Sequence, residues 1–243
     1  MRTFTFAKRN FKEIIRDPLN LSFLFGFPIV LLLLLSAIQA NIPVSMFEIE
    51  YLSPGIAVFG LAFMTLFSAT LIAKDRQSSF MHRLYTTPMT PVDFILGYTL
   101  PLIPVALAEG IATYLLAVIL GLDVTVNILL SILLLTPIAL LYIALGLLCG
   151  SVFNDKQVGG ICGALLTNLS AWLSGIWFDL DLVGGVFKKI AYALPFVHSV
   201  EVQRAVIAGD YAGIFPHLWW VLGYALIILV LAVFVYLRQM KKQ

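Results

Sequence analysis

Long uncharged stretches alternate with short charged ones along this chain. Runs without a lysine, arginine, aspartate or glutamate extend over residues 18–47, 51–73, 124–154, 157–178 and 211–237. A helix that crosses a bilayer needs roughly 20 apolar residues, so each run is long enough to span a membrane. A sixth span over about residues 94–120 follows if one ionisable residue, Glu109, lies within it. The pattern therefore predicts six membrane helices.

The segment before the first span predicts an amphipathic helix. Its apolar residues recur at helical spacing, and its cations lie largely elsewhere on the helical wheel; the apolar set is Phe4, Ala7, Phe11, Ile14 and Ile15, and the cations are Lys8, Arg9, Lys12 and Arg16. We expect an interfacial helix over residues 1–17 that lies on the inner membrane surface and ends at Asp17-Pro18. Two roles stay open, a lipid anchor and a contact with a partner subunit.

Residues 179–216 form the longest predicted outer segment, and it is too apolar for a solvated linker. Apolar clusters lie on both sides of Leu194-Pro195, which favours two short helices broken at that point. A re-entrant hairpin that dips into the outer leaflet explains this pattern, and a small extracellular cap is the alternative.

Residues 74–90 form a short charged interruption between the second and third predicted spans. Phe80, Met81, Leu84 and Tyr85 share one face of a short helix that Pro88 ends, and Arg76 and Arg83 lie seven residues apart on another face. By composition alone this is typical of an ordinary basic inner loop whose apolar face rests on lipid.

Composition agrees with a membrane protein. Hydrophobic residues make up 61% of the 243 residues and charged residues 12%, with a mean hydropathy of +1.00, whereas soluble domains carry about 25% charged residues. We predict a single all-α domain over residues 1–243, polytopic, with the six spans, the interfacial helix and the outer hairpin between spans five and six. Cys149 and Cys162 fall inside spans, where they behave as small apolar residues.

The distribution of lysine and arginine predicts the orientation. If both termini are cytoplasmic, twelve of these residues lie on the inner side and Lys188, Lys189 and Arg204 on the outer side. The net charge of +2 is spread along the membrane edges, so it predicts no nucleic-acid surface.

Glu109 is the one carboxylate predicted well inside a span, where an ionised group costs about 2.5–3.5 kcal/mol. It should face the bundle, either hydrogen-bonded to neighbours such as Thr113 or Tyr114 or in contact with a cationic substrate. Trp172 and Trp177 lie near the predicted outer boundary, where indole rings anchor helices, and they could also line the outer end of a substrate path.

Catalysis is disfavoured. An intramembrane hydrolase could be imagined with His198, Glu201 and His217 around a metal and Glu109 as a general base. However, the sequence has no His-Glu-x-x-His motif and no serine in a nucleophile setting, so neither a catalytic residue nor a metal ligand is predicted. A channel or scaffold without an energy source is a third hypothesis.

Three groups of residues together resemble a known family. They are Arg16-Asp17-Pro18 before a first span that contains Pro28; Asp75-Arg76, Phe80-x-x-Arg83-Leu84-x-x-Thr87-Pro88 and Leu96-Gly97 after the second span; and Leu173-Ser174-Gly175-Ile176, Ile190-Ala191, Leu194-Pro195 and Glu201-x-x-Arg204-Ala205 near the end. In this order they resemble the membrane subunits of type-2 ABC exporters, the ABC transporter type-2 permease family, along the whole chain.

The resemblance implies a permease subunit that exports an amphiphilic drug, antibiotic, peptide or lipid across a bacterial plasma membrane. It implies that residues 74–90 form a coupling helix seated on a separate ABC ATPase, with Phe80, Arg83, Leu84 and Tyr85 in the contact and Arg76 supporting it. The sequence has no Gly-x-x-x-x-Gly-Lys-Ser/Thr loop, so ATP and Mg²⁺ are expected to be used by the partner ATPase and no cofactor by this chain. A second permease, identical or similar, would complete the transporter.

Overall fold

The computed structural model describes residues 2–42, 47–78 and 90–240, and this part of the chain is helical with no strand. We label the helices α1 (Arg2–Ile15), α2 (Pro18–Gln39), α3 (Ile49–Gln77), α4 (Pro91–Ile119), α5 (Val126–Val152), α6 (Asp155–Val158, Gly159–Leu166 and Thr167–Leu173), α7 (Leu180–Val183), α8 (Gly185–Ala193), α9 (Pro195–Ile207) and α10 (Tyr211–Met240). Among the described residues, five helices are long and apolar enough to cross a membrane, namely α2, α3, α4, α5 and α10.

Helix α3 forms the centre of the bundle. Of its most hydrophobic stretch, 89% is buried, whereas only 17% is buried in α2 and in α10. It packs against α2, α4, α5, α6 and α9. Apolar composition alone does not select α3 for this central position, because α2, α5 and α10 contain more hydrophobic stretches.

Close packing between α3 and α5 depends on the Gly146-x-x-x-Gly150 motif. A Cβ atom added at Gly150 would lie 2.6 Å from the backbone oxygen of Ala69 on α3, so only glycine fits there. The hydroxyl of Thr65 on α3 donates to the backbone oxygen of Tyr142 at 3.0 Å. Small residues at this spacing let helix backbones approach each other, and here they do so within one subunit.

Three of the long helices are irregular. Wide π-helical turns occupy Ser22–Gly26, immediately before Phe27 and Pro28, and Gly159–Leu166 in α6. Helix α4 is interrupted at Pro101, between Pro91–Thr99 and Leu102–Ile119. Proline removes a helix hydrogen bond, which explains the irregular turns beside Pro28 and at Pro101. The wide turns of α6 contain no proline.

The amino-terminal helix has about the predicted length, and the bundle covers one of its faces. Its buried residues are Phe6, Ala7, Asn10 and Ile14, while Phe4 is 73% and Ile15 54% exposed. The buried face packs on the first turns of α4. The predicted contact of Phe4 and Ile15 with the membrane surface stays a prediction.

The segment after α6 contains the two predicted short helices, α8 and α9, and they are separated at Leu194-Pro195. Helix α9 packs against α3, α5 and α10. Its buried Gln203 donates to the backbone oxygen of Ser131 on α5 at 3.2 Å and accepts from the hydroxyl of Tyr114 on α4 at 3.1 Å. Helix α9 is therefore part of the helical bundle.

Candidate functional site

The strongest polar cluster lies where α1, the end of α3 and the start of α4 meet, and we call Arg9, Asp75 and Tyr98 the anchor cluster. Asp75 is only 2% exposed. Two Arg9 nitrogens donate to its two carboxylate oxygens at 2.6 and 2.7 Å, and the Tyr98 hydroxyl donates to Oδ2 at 2.7 Å. Bidentate arginine–carboxylate pairs are among the strongest side-chain contacts, so this cluster ties three helices together.

Further contacts fasten α1 to the first turns of α4. The Asn10 amide donates to the backbone oxygen of Gly97 at 2.9 Å, and the Thr3 hydroxyl donates to Asp93. The Phe6 ring lies edge-on to the Tyr98 ring, with centroids 5.0 Å apart, and occupies the space that a Cβ atom at Gly97 would need. Helix α1 and the start of α4 therefore form one packed unit.

The sequence explains why α4 begins where it does. Thr90 and Asp93 form a capping box, in which the Thr90 hydroxyl accepts from the Asp93 backbone N–H and the Asp93 carboxylate accepts from the Thr90 N–H. Pro91 follows in the first turn, where a missing N–H costs nothing. Helix α3 ends at Gln77, so residues 78–90 connect two helix ends that the anchor cluster holds.

Arg76 has a defined place in this region. Its guanidinium donates to the backbone oxygen of Gly150 at 2.8 Å and to that of Phe153 at 3.4 Å. It thus satisfies carbonyls at the end of α5, where cations are favourable. The other residues predicted to dock a partner, Phe80, Arg83, Leu84 and Tyr85, lie outside the described residues, and the docking assignment stays a prediction.

Burial and neighbouring charges affect Arg9 and Glu13 differently. Partial burial opposes the charged form of Arg9, but hydrogen bonds and charge from Asp75 outweigh burial, so the pKa of Arg9 is raised. Glu13 forms an ion pair with Arg9 at 2.8 Å, yet burial raises the pKa of Glu13 despite that cation. Asp75 is therefore the main partner of the Arg9 cation.

Glu109 is fully buried and faces the bundle, as the sequence predicts. Its Oε1 accepts from the Thr113 hydroxyl at 2.9 Å, while its Oε2 has no hydrogen-bond partner among the described residues. The carboxyl group lies against Gly60 of α3, where a Cβ atom would overlap it. Tyr114, the other expected neighbour, bonds instead to Ser131 at 2.6 Å.

The two tryptophans predicted on the substrate path lie in different surroundings. Trp172 is 55% exposed and contacts the Phe178 ring edge-on at 6.0 Å. Trp177 turns inward, and its ring centroid lies 5.6 Å from that of Phe59 on α3. Trp177 and Glu109 thus contact adjacent residues of α3, while Trp172 lies on the surface.

A second polar region lies near the start of α3, and the sequence did not predict its contacts. Arg204 stacks over the Tyr51 ring at 3.5 Å and donates to Glu201 at 3.1 Å and to the Gly175 backbone oxygen at 3.0 Å. The spacing Glu201-x-x-Arg204 places both charges on one helix face, but no sequence spacing indicates Tyr51 as a partner. These residues line a cavity of about 440 Å³.

The histidines of this region form a pair. His198 Nδ1 and His217 Nδ1 lie 2.7 Å apart, and His198 Nε2 lies 3.0 Å from the Tyr192 carbonyl oxygen. Because that carbonyl can only accept, Nε2 of His198 carries a proton and Nδ1 accepts from His217. Burial, and then the charge of His217, lower the pKa of His198. In the described ranges no three His, Cys, Asp or Glu side chains are grouped as metal ligands.

Comparison with known proteins gives one family. The sequence model described as ABC-2 type transporter matches residues 1–208, which include the anchor cluster and the segment between α3 and α4. No curated protein matches the chain significantly.

Proposed function

The chain belongs to the ABC-2 type transporter family, and we propose that it is the membrane-spanning permease subunit of an ATP-driven exporter. The observation that carries the proposal is the family match, since it covers residues 1–208 and hence most of the bundle. Export of an amphiphilic substrate would suit a bundle whose described core is largely apolar and in which the Glu109 carboxyl group is closed off from solvent.

We propose six membrane spans, with α6 as the fifth in chain order. Its three consecutive pieces, Asp155–Val158, Gly159–Leu166 and Thr167–Leu173, add up to 19 residues. At 1.5 Å per residue they extend over about 28 Å, close to the thickness of a bilayer core. Helices α8 and α9 would then form the re-entrant hairpin before the last span. The excess of lysine and arginine on one side supports cytoplasmic termini, and a bacterial plasma membrane is proposed from the family resemblance alone.

The proposed mechanism starts in the predicted coupling helix of residues 74–90, at the segment between α3 and α4. A separate ABC ATPase, closing on ATP and Mg²⁺, would push this coupling segment. The segment is held between the end of α3 and the capped start of α4, and the anchor cluster joins both to α1. A rigid base of this kind would move as a unit and pass the displacement to α3, the central helix. A second permease, identical or similar, would supply the other half of the path.

Charge reversal in the coupling segment tests this function. In proteoliposomes with the ATPase that copurifies, the double substitution Arg83→Glu with Leu84→Asp should reduce both export and substrate-stimulated ATP hydrolysis. The matched control is Lys156→Glu with Gln157→Asp, which changes the charge equally in another short connection. Asp at position 157 can still cap α6, so the control should keep its fold.

Two results would contradict the proposal. Equal export by the coupling variant, the control and the unaltered protein would refute the docking assignment. If no ATPase copurifies and solute flux needs no ATP, the protein is a channel or scaffold and the exporter proposal is wrong.

A further inference from the structure

A basic cleft lies beside the anchor cluster. It has a volume of about 1010 Å³ and is bounded by α1, the start of α2 and the end of α3; its lining residues are Thr5, Lys8, Arg9, Lys12, Glu13, Arg16, Asp17, Pro18 and Lys74. Five cations and two carboxylates line it, so the cleft has a clear excess of positive charge. Such a concave basic surface attracts anions.

The cations of the cleft that form no ion pair among the described residues lie along one edge of α1 and at the residue that follows it. Lys8, Lys12 and Arg16 recur every four residues, are exposed, and form no ion pair among the described residues. In contrast, Arg9 is bound to Asp75, and Lys74 lies 3.6 Å from Asp17. Three cations are therefore available to an anionic ligand.

Three exposed apolar residues are sequence neighbours of residues that line the cleft. Phe4 is 73%, Ile15 54% and Leu19 67% exposed, and on the helical wheel Phe4 and Ile15 lie next to the edge that carries Lys8. A small soluble anion would gain nothing from contact with these apolar side chains. A ligand with a negative headgroup and an apolar tail would cover both the cations and these apolar side chains.

We propose that this cleft binds the headgroup of an anionic phospholipid, with the phosphate between Lys8, Lys12 and Arg16 and the acyl chains along Phe4 and Ile15. Lysine and arginine are the side chains that bind phosphate, and three of them on one edge can share one headgroup. Because Arg9 forms a wall of the cleft and also holds Asp75, the lipid lies against the anchor cluster. The site requires neither an ATPase nor a substrate, so it can be tested apart from transport.

Native mass spectrometry of the full chain in an uncharged detergent measures this site directly. The probe is an equimolar mixture of dioleoyl phosphatidylglycerol and dioleoyl phosphatidylcholine, and the readout is the ratio of the two adducts. The unaltered protein should prefer phosphatidylglycerol. In Lys8→Gln with Lys12→Gln this preference should fall by about five-fold for each cation removed.

The matched control is Lys156→Gln with Arg238→Gln, which removes two exposed cations elsewhere. It should keep the preference of the unaltered protein. Equal loss in the control and in the Lys8 and Lys12 variant would mean that total charge governs binding, and equal adducts of both lipids would mean that the cleft does not select anions; either result overturns the proposal. If soluble glycerol phosphate in modest excess displaces the lipid completely, the cleft binds free phosphates and the lipid assignment is wrong.

Discussion

Asp75→Asn is the substitution that best tests the anchor cluster, because it keeps the volume of the side chain and removes its charge. Asparagine would leave the Arg9 guanidinium without its bidentate partner and would place an amide N–H₂ near donors. The carboxylate is 3% and the Arg9 side chain 36% exposed, so the pair is buried on one side only.

The expected cost follows from that geometry. Breaking a fully buried ion pair costs about 3–5 kcal/mol. Since Arg9 is partly exposed and keeps its ion pair with Glu13 at 2.8 Å, solvent screens part of the loss and we expect about 2–3 kcal/mol. For a chain of this length, the melting temperature should fall by roughly 5–10 °C.

Two cysteines of the chain can report thermal unfolding in this assay. Cys149 and Cys162 are free thiols, and both are buried. A fluorogenic maleimide in detergent solution should therefore label them mainly as the helices separate on heating. Asp123→Asn, an exposed acidic residue between α4 and α5, is the matched control and should melt like the unaltered protein.

A double substitution distinguishes the loss of the Arg9–Asp75 interaction from a general loss of stability. Arg9→Gln with Asp75→Asn removes both charges, so the combined loss should be smaller than the sum of the two single losses by about 1 kcal/mol or more. If Asp75→Asn melts within 2 °C of the unaltered protein, or if the two losses simply add, the anchor cluster does not hold α1, α3 and α4 together and the reasoning is refuted.

Two further predictions use the same melting assay. Gly60→Ala places a Cβ atom on the Glu109 carboxyl group and should destabilise the protein by about 1–3 kcal/mol, whereas Gly223→Ala, which meets open space, should be neutral or stabilising; equal effects would show that Glu109 is not packed against α3. The lowered pKa of His198 means that the unfolded chain binds more protons as the pH falls through about 6.5, so the melting temperature should drop on acidification. His217→Asn should reduce that drop, and an unchanged pH dependence would contradict the pairing of the two histidines.

The local elements could be predicted from the sequence because their signals are local. Four uncharged runs predicted the long apolar helices α2, α3, α5 and α10, and an apolar run with one carboxylate predicted α4. Asp17-Pro18 and Leu194-Pro195 marked helix boundaries. Glu109 was placed inside the bundle because a charge facing lipid is costly. Each of these inferences needs only neighbouring residues and the properties of a bilayer.

The helical rotation of α1 could not be predicted in this way. Phe4 and Phe6 are both apolar, yet only Phe6 is buried, because Gly97 on α4 leaves space for its ring. The periodicity of α1 defines an apolar side but does not tell whether lipid or another helix will cover it.

The amino-acid sequence by itself determined a helical membrane protein, the approximate limits of its helices and the family it resembles. Only the tertiary structure decided that Arg9 meets Asp75, 66 positions away, and that Gln203 meets Ser131, 72 positions away. Hydrophobic periodicity and helix caps depend on residues within a few turns, whereas these pairs depend on how whole helices rotate and cross. That arrangement follows from the packing of many residues at once, including the glycines that allow α5 to approach α3 and α1 to approach α4. No single spacing in the chain encodes it.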